Sequence, residues 1–400
     1  MGEDLWTGDA ILMIPGPTEL HPRVRKVLSE RSLPHYGPEW AVEVERAREL
    51  AAALFGSRPE NTFLIPGPGS LALELGSRTV LSRGKKAIVL NSGFWGERLS
   101  ELARSLGAKV VEVRADEGSV PGMEEVEEAL RRNPDAEALM LVHVDTGPGV
   151  MHDLRSYVKL AKEKGLRVIC DAIASYGAVP LMVREIGIDV CVGHPNKCLN
   201  SMPGVAPLHI SPDLWDGIDP SETGGGWISN PSAFKRYYLL WSEEGHPYHT
   251  TINPYAVMAF ALAAESALEE GLEKRYRRHV EASRAFRRAA SVLGLKQVAA
   301  SEEVASPTVT SLKLPDELSG RADEFVHHML KKYRVMVTNG LGNLVDSAIR
   351  VGHMGITATA RYLIPTIVAL GRTLEDLTGR KVEIGRAVEA FLESSTKLTS

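Results

Sequence analysis

Short apolar segments alternate with helix-like segments over residues 62–210, and this alternation constrains the fold more than any other feature of the chain. The clearest apolar runs are Lys86–Leu90, Ala138–His143, Arg167–Cys170 and Asp189–Val192. Strands that are apolar on both faces are typical of buried parallel sheets, whereas half-exposed strands alternate apolar and polar residues. The sequence therefore predicts an α/β protein with a mostly parallel sheet sandwiched by helices.

The same patterns place the neighbouring elements. Further strands are predicted at Thr62–Ile65, Lys109–Val113 and Ala206–Ile210, and helices at Pro22–Glu30, Ala41–Phe55, Leu71–Leu81, Gly96–Leu106, Met123–Arg131 and Leu154–Lys164. Residues before about Thr18 are predicted as a loop, because they contain the turn signal Pro15-Gly16-Pro17. The stretch Trp215–His249 has little periodicity and is expected to be a long ordered excursion, with a subunit interface as a candidate role.

The last third of the chain predicts a second, smaller α+β domain. Two helices at Pro254–Glu269 and Leu272–Leu293 precede strands at Thr308–Leu314 and Arg334–Thr338, with a helix at Arg321–Lys332 between the strands, a loop at His353–Thr359 and two final helices. We expect an N-terminal arm at residues 1–20, a large domain at 21–270 and a small domain at 271–400, with the linking helices at about 255–293.

Composition and charge exclude several classes of function. The 400 residues carry a formal charge of −5, so no basic surface for nucleic acid is expected. No apolar run is long enough to cross a membrane, and the start of the chain does not resemble a signal peptide. The three cysteines, Cys170, Cys191 and Cys198, suit neither a disulfide framework nor a zinc site. We expect a cytoplasmic protein without a metal, in which Cys198 is a small buried side chain.

Two polar residues, Asp171 and Lys197, lie at or just beyond the ends of neighbouring apolar strands. In open parallel sheets, ligands bind in the crevice outside the carboxyl ends of the strands. An aspartate against a pyridine nitrogen and a lysine that forms a Schiff base are what pyridoxal 5′-phosphate (PLP) chemistry needs. The structural alternatives are a helix N-cap for Asp171 and a surface loop for Lys197. The small, turn-forming flanks of Lys197 argue against a solvated surface.

Two other segments offer groups for a cofactor. Gly67-Pro68-Gly69-Ser70 separates a strand from a helix, so its free N–H groups and hydroxyl form a candidate anion site. The segment lacks the glycine spacing of a dinucleotide-binding loop, which makes a Rossmann dehydrogenase a poor alternative. Trp95, in the loop-like segment NSGFWGER, is a candidate for stacking on a cofactor ring, with a core tryptophan as the alternative.

Candidate substrate contacts come from the second half of the chain. Arg350 lies among apolar and small residues and therefore needs a partner, either a substrate carboxylate or an internal salt bridge. The segment His246–Thr251 contains Tyr, His and Thr donors that could reach a phosphate, including one in another subunit.

Together these segments resemble the class V, fold-type I PLP-dependent aminotransferases, in particular the alanine–glyoxylate and serine–pyruvate aminotransferases. The resemblance covers nearly the whole chain. Its motifs occur in the order PGPT, GPGSLALE, NSGFWGER, HVDTGPGV, DAIASYGAVPL, NKCLNSMPG, YHTT and RVGHMG. The implied reaction moves an amino group from alanine or serine to glyoxylate or pyruvate by a ping-pong mechanism.

The resemblance also implies a role for each candidate residue. Lys197 would form the Schiff base, and Asp171 would pair with the protonated pyridine nitrogen. The other implied contacts are Trp95 and Ile173 on the two faces of the ring, Thr146 near the ring hydroxyl, Gly69, Ser70 and Asn196 at the phosphate, Tyr248 and Thr251 from the other subunit of a homodimer, and Gly16 and Arg350 at the substrate.

Some residues depart from the family pattern and keep alternatives open. Many members have Ser-Gln before the lysine, whereas this chain has Pro195-Asn196, and proline cannot donate a hydrogen bond. The segment VDTGPG replaces a Glu-Ser/Thr-Ser/Thr pattern, and Asn-Lys-Cys is similar to 2-aminoethylphosphonate–pyruvate aminotransferases. A lyase or cysteine desulfurase is less similar, since no cysteine follows Cys198. A catalytically silent binding protein is disfavoured because Lys197, Asp171 and Arg350 occur together.

Overall fold

The computed structural model describes residues 10–31, 33–223, 225–242 and 249–394. Its first half contains β1 (Ile11–Leu12), α1 (Pro22–Val27), α2 (Pro38–Phe55), β2 (Thr62–Gly67), α3 (Gly69–Arg78), β3 (Lys86–Asn91), α4 (Phe94–Ser105), β4 (Lys109–Arg114), α5 (Met123–Arg132), β5 (Ala136–Val142), β6 (Val144–Asp145), β7 (Val150–Met151), α6 (Leu154–Glu163), β8 (Arg167–Asp171), α7 (Val183–Ile186), β9 (Val190–Val192) and β10 (Gly204–Ile210).

The second half is richer in helix. It contains α8 (Pro212–Gly217), α9 (Pro231–Ser242), α10 (Pro254–Glu270), α11 (Leu272–Val292), β11 (Lys296–Gln297), β12 (Val309–Lys313), α12 (Ala322–Tyr333), β13 (Val335–Met336), β14 (Thr338–Asn339), β15 (Ala348–Gly352), α13 (Ala360–Thr378) and α14 (Ile384–Ser394). No helix in the described ranges is long and apolar enough to cross a membrane.

The central sheet has seven strands in the order β2-β10-β9-β8-β5-β3-β4. Only β10 runs antiparallel to its neighbours, so the predicted mostly parallel sheet is confirmed. Alternate residues of β3 enter different cores. Ile88 and Leu90 pack in the core that contains α2 and α10, whereas Ala87 and Val89 pack in the core that contains α3 and α4. Burial on both faces explains why these strands are apolar without alternation.

A smaller α+β unit follows the large sheet, as predicted. Its sheet is antiparallel in the order β11-β12-β15-β14. Apolar residues of α11, α12, α13 and α14 pack with this sheet in a separate hydrophobic cluster, which also includes Met13 from the N-terminal segment. The residue numbers at which the arm and the two domains divide stay a prediction.

The structure departs from the local predictions in four places. Ile11–Leu12 is a strand rather than a loop, because it pairs in parallel with β13 more than 300 residues later. Strand β15, which carries Arg350, was not predicted, and the single strand expected at Arg334–Thr338 is divided into β13 and β14. The excursion Trp215–His249 includes the second half of α8 and the whole of α9, although residues 224 and 243–248 lie outside the described ranges.

Asn200 joins the N-terminal segment, the lysine loop and the C-terminal unit. Its Nδ2 donates to Thr18 Oγ1 at 3.1 Å and to the Met354 carbonyl at 3.0 Å, and its Oδ1 accepts from the Ile356 N–H at 2.7 Å. Thr18 Oγ1 in turn donates to the carbonyl of Lys197 at 2.8 Å. The side chain of Asn200 is buried, so these contacts fix the backbone on both sides of Lys197 without competition from water.

We predict that Asn200→Asp lowers the free energy of unfolding by about 2–3 kcal/mol. The aspartate side chain has nearly the shape of asparagine, but it cannot donate the two hydrogen bonds that Nδ2 makes. Denaturant unfolding measures the change. Asn343→Asp is the control: it makes the same change at an exposed residue, where it removes a hydrogen bond from Nδ2 to Glu117 of 3.1 Å, and its cost should stay within about 1 kcal/mol. Equal stability of the Asn200 variant and the wild type would contradict a structural role for this junction.

Candidate active site

The candidate residues of the large sheet gather at one edge because their strands share a direction. Strands β2, β3, β5, β8 and β9 are parallel, so their carboxyl ends lie together. The residues at or just after these ends are Gly69 and Ser70 after β2, Trp95 after β3, Thr146 after β5, Asp171 and Ile173 at β8, and Asn196 and Lys197 after β9. This is the edge at which open α/β sheets bind their ligands.

Lys197 is enclosed by the N-terminal segment. Its Nζ donates to the carbonyl of Pro15 at 2.6 Å. Gly16 has a φ of +105°, and a Cβ at that position would lie 2.4 Å from Lys197 Cδ and 2.6 Å from Nζ. Burial, with a contribution from the charge of Arg350, lowers the pKa of Lys197 to about 8. The amine is therefore unprotonated in a useful fraction of molecules near neutral pH, as a nucleophile requires.

Asp171 is a buried carboxylate, and only one of its two oxygens has a partner among the described residues. Its Oδ1 accepts from the Ile173 N–H at 2.9 Å, and its Oδ2 has no hydrogen-bond partner among the described residues. Burial raises the pKa of Asp171 to about 6, and the charge of Lys197 acts in the opposite direction. No helix begins at Asp171, so the helix N-cap alternative is wrong. A carboxylate here would accept a hydrogen bond from a cationic N–H group.

Asp145 is a functional candidate that the sequence reasoning missed. Its carboxylate accepts from the N–H groups of Trp95 at 3.0 Å, Gly96 at 3.2 Å and Gly147 at 2.9 Å. It thus caps α4, where a negative charge is favoured by the helix dipole. Burial raises its pKa, and the charge of Arg350 counters part of that effect. In the sequence, the only sign of this role was an acidic residue in VDTGPG, the segment that departs from the family pattern.

Trp95 lies in the first turn of α4 rather than in a loop, which corrects the sequence interpretation. The side chain is 38% exposed, so the alternative of a core tryptophan is also wrong. Its Nε1 donates to Thr146 Oγ1 at 2.8 Å, which fixes the indole beside the turn after β5. Trp95 and Thr146 are therefore in contact, and Asp145 fixes the start of α4 beside them. Their roles toward a cofactor stay predictions.

Arg350 reaches this edge from the C-terminal unit. Its Nε donates to the Asn339 carbonyl at 2.7 Å, and its Nη1 lies 3.5 Å from the Thr146 carbonyl. No carboxylate in the described ranges forms an ion pair with Arg350, so the internal salt bridge is not observed there. Burial lowers the pKa of Arg350 to about 10, which still leaves a cation at neutral pH. The guanidinium is available for an external carboxylate.

The beginning of α3 forms the other side of the site. Gly69 and Ser70 are its first residues, and their N–H groups have no acceptor among the described residues. A Cβ on Gly69 would lie 2.5 Å from Ile173 Cδ1 and 3.5 Å from His194 Cδ2. His194 is a second residue that the sequence reasoning missed. The distance between its Nδ1 and Asn196 Oδ1 is 2.5 Å. The only signal was its position three residues before the lysine.

The remaining candidates are less informative or inert. Tyr248 lies outside the described residues, and Thr251 is exposed just before α10. All three cysteines are buried and free, and burial raises the pKa of Cys198 to about 12, as expected of an inert side chain rather than a reactive thiol. No group of three metal-binding side chains was found in the part of the chain that the structure describes.

Comparisons with known proteins point to one family. The family model described as aminotransferase class-V matches residues 24–361. An uncharacterized aminotransferase from Methanocaldococcus jannaschii is 28% identical over 92% of this chain and 93% of its own length. The alanine–glyoxylate aminotransferase of Callithrix jacchus is also 28% identical, over 93% of this chain and 89% of its own.

A solved structure extends the likeness to three dimensions. The ureidoglycine–glyoxylate aminotransferase of Bacillus subtilis has a TM-score of 0.90 with this chain and 24% sequence identity. The alignment covers 98% of this chain and 100% of that one. At this identity the comparison supports the fold.

We predict that Gly16→Ala reduces the rate of amino transfer about a hundredfold, because the added Cβ must displace the side chain of Lys197. The control is Gly84→Ala, since Gly84 also has a positive φ of +89° but has nothing within 4 Å of an added Cβ. Both variants place a Cβ on a residue with positive φ, and only the first should lose activity in steady-state assays. An equal loss in both would show that strain, rather than contact with Lys197, is responsible.

Proposed function

Since the chain belongs to the class-V aminotransferases, we propose that it transfers the amino group of a small L-amino acid, alanine or serine, to a 2-oxo acid, glyoxylate or pyruvate. In this proposal PLP is bound at Lys197, and the two half-reactions follow one another in a ping-pong mechanism. The alanine–glyoxylate aminotransferase relative supports this choice of substrates.

The arrangement of Lys197, Asp171 and Arg350 around one crevice carries the proposal. Lys197 brings an amine whose pKa is about 8. Asp171 brings a carboxylate oxygen, and Arg350 brings a guanidinium without a carboxylate partner among the described residues. A nucleophilic amine, an acceptor for a pyridinium N–H and a receptor for an α-carboxylate are the three groups that PLP-dependent amino transfer needs.

The described residues fit PLP on its two polar ends. Asp171 would accept from the ring nitrogen, and the free N–H groups of Gly69 and Ser70 would hold the phosphate at the beginning of α3. Trp95 and Ile173 would cover the two ring faces, and Thr146 and Asn196 would complete the polar contacts. When bound, PLP supplies a conjugated ring that accepts the electron pair released at the substrate Cα.

The residues of the chain would divide the chemistry among them. Arg350 would hold the substrate α-carboxylate with its planar fork, beside Gly16, where the absence of a side chain leaves room. Lys197 would first hold the cofactor covalently and then, once freed by the incoming amine, take the Cα proton as a general base. Asp171 would keep the proton on the ring nitrogen, and its burial strengthens this contact.

A homodimer is part of the same proposal. Trp227, Ile228, Leu239 and Leu240 are exposed in a single chain, with 40–52% of their surface accessible. Several exposed apolar side chains within one short segment are what a subunit interface would cover. These residues shortly precede Tyr248 and Thr251 in the sequence, and the proposal has the same segment enter the site of the other subunit.

The direct test is the visible absorbance of the purified protein saturated with PLP. We expect a yellow absorption band that bleaches on addition of L-alanine or L-serine and returns with glyoxylate or pyruvate. The control Lys197→Ala should bind PLP without the same band and should not complete the cycle. A wild-type protein that PLP does not colour would contradict the proposal. If the band responds only to 2-aminoethylphosphonate, the role of Lys197 stands and the amino donor changes. That donor is the second candidate, which Asn196-Lys197-Cys198 suggests.

The same assay tests the carboxylate site. In Arg350→Lys, half-bleaching should need roughly thirtyfold more L-alanine, because replacing a planar fork by a point charge loses about 2 kcal/mol of charge-assisted hydrogen bonding. The PLP band without substrate should be unchanged. An unchanged alanine requirement would mean that Arg350 only supports the backbone of Asn339.

A further inference from the structure

His194 is a buried imidazole placed between strand β9 and Lys197. Its side chain is 4% exposed. Nδ1 lies 2.5 Å from the Asn196 side-chain oxygen and 3.4 Å from the Asn196 backbone nitrogen. These two contacts demand opposite tautomers, and the much shorter one prevails, so the proton belongs on Nδ1. The neutral ring then presents Nε2 as a bare nitrogen.

Nε2 of His194 is buried and has no hydrogen-bond partner among the described residues. The Gly67 carbonyl at the end of β2 acts on the ring and favours its protonated form, but it does not reach Nε2 with hydrogen-bond geometry. A buried polar atom without a partner is costly, so such an atom in a ligand site indicates a group that binds there. Burial, together with the charge of Lys197, lowers the pKa of His194, so the ring is neutral until an anion binds beside it.

The ring faces the first turn of α3, a helix of ten residues. A Cβ on Gly69 would lie 3.5 Å from His194 Cδ2, the carbon bonded to Nε2. Pro68 precedes this turn without a side-chain cap, and the N–H groups of Gly69 and Ser70 have no acceptor among the described residues. Free N–H groups and the helix dipole favour an anion at this place.

We propose that His194 Nε2 binds the phosphate group of PLP at the beginning of α3, as the donor that Pro195 cannot provide. This inference rests on the proposed function. Proline at 195 has neither an N–H nor a hydroxyl group, while the adjacent imidazole has an unpartnered nitrogen next to the ring carbon that approaches Gly69. On binding, Nε2 takes up a proton and donates to a phosphate oxygen, and Nδ1 keeps its contact with Asn196, because a protonated histidine donates from both nitrogens.

The test compares the dissociation constants of PLP and of pyridoxal, which lacks the phosphate. In His194→Ala, PLP should bind about tenfold to a hundredfold more weakly, as expected for loss of a charge-assisted hydrogen bond. Pyridoxal should bind as it does to the wild type, within about twofold. His194→Gln, which keeps a donor near Nε2, should regain part of the PLP affinity. His209→Ala is the matched control, because His209 is also a buried histidine but lies in β10, outside the site. The dissociation constants of PLP and pyridoxal should both be unchanged in this variant.

The outcomes separate this inference from the proposed function. Equal weakening of PLP and pyridoxal in His194→Ala, or no weakening of either, overturns the phosphate role while PLP dependence stands. A wild-type protein that binds neither compound overturns both. If the alanine variant does not fold, inorganic phosphate titrated into the wild type should still shift the His194 ring nitrogen resonances, assigned with His194→Gln. Absence of that shift overturns the inference as well.

Discussion

Four buried or half-buried ionisable groups share the crevice without forming an ion pair among themselves, and the chemistry of the site depends on this arrangement. They are Lys197, Arg350, Asp171 and Asp145, and their charges act on one another through a poorly solvated interior. A direct pair between Lys197 and a carboxylate would hold the lysine protonated. Separation leaves burial as the main influence, which moves both Lys197 and Asp171 toward the neutral form.

Separation of these charges requires that each be held from a different element. The N-terminal segment closes over Lys197 through Pro15 and Gly16, and β15 brings Arg350 from the C-terminal unit. Asp145 is fixed by N–H groups at the start of α4. The large sheet alone would supply Lys197 and Asp171, but not the segment that encloses Lys197 or the guanidinium of Arg350. The smaller unit and the N-terminal segment are therefore parts of the active site as well as of the fold.

The sequence was sufficient for features that arise from local patterns. Continuous apolar runs predicted the parallel sheet, and the positions of Asp171 and Lys197 after two of these runs placed them at one edge. It was insufficient where distant residues decide the outcome. Ile11–Leu12 becomes a strand only through pairing with β13. The sequence around His194 predicts a turn, and the contact of its ring with Gly69 exists only in the folded chain. Family resemblance added roles for residues such as Ile173, whose aliphatic side chain carries no chemical signal of its own.

The most direct test of this account is the pH dependence with which Lys197 reacts with an acylating reagent in the cofactor-free protein, followed by peptide mass spectrometry. Because burial and the charge of Arg350 lower the pKa, the rate should rise as the amine loses its proton and reach half its maximum near pH 8. An exposed lysine of the same protein, Lys274, serves as the internal reference. A midpoint for Lys197 near the ordinary lysine pKa of about 10.4 would contradict the central claim, since the amine would then be solvated or paired.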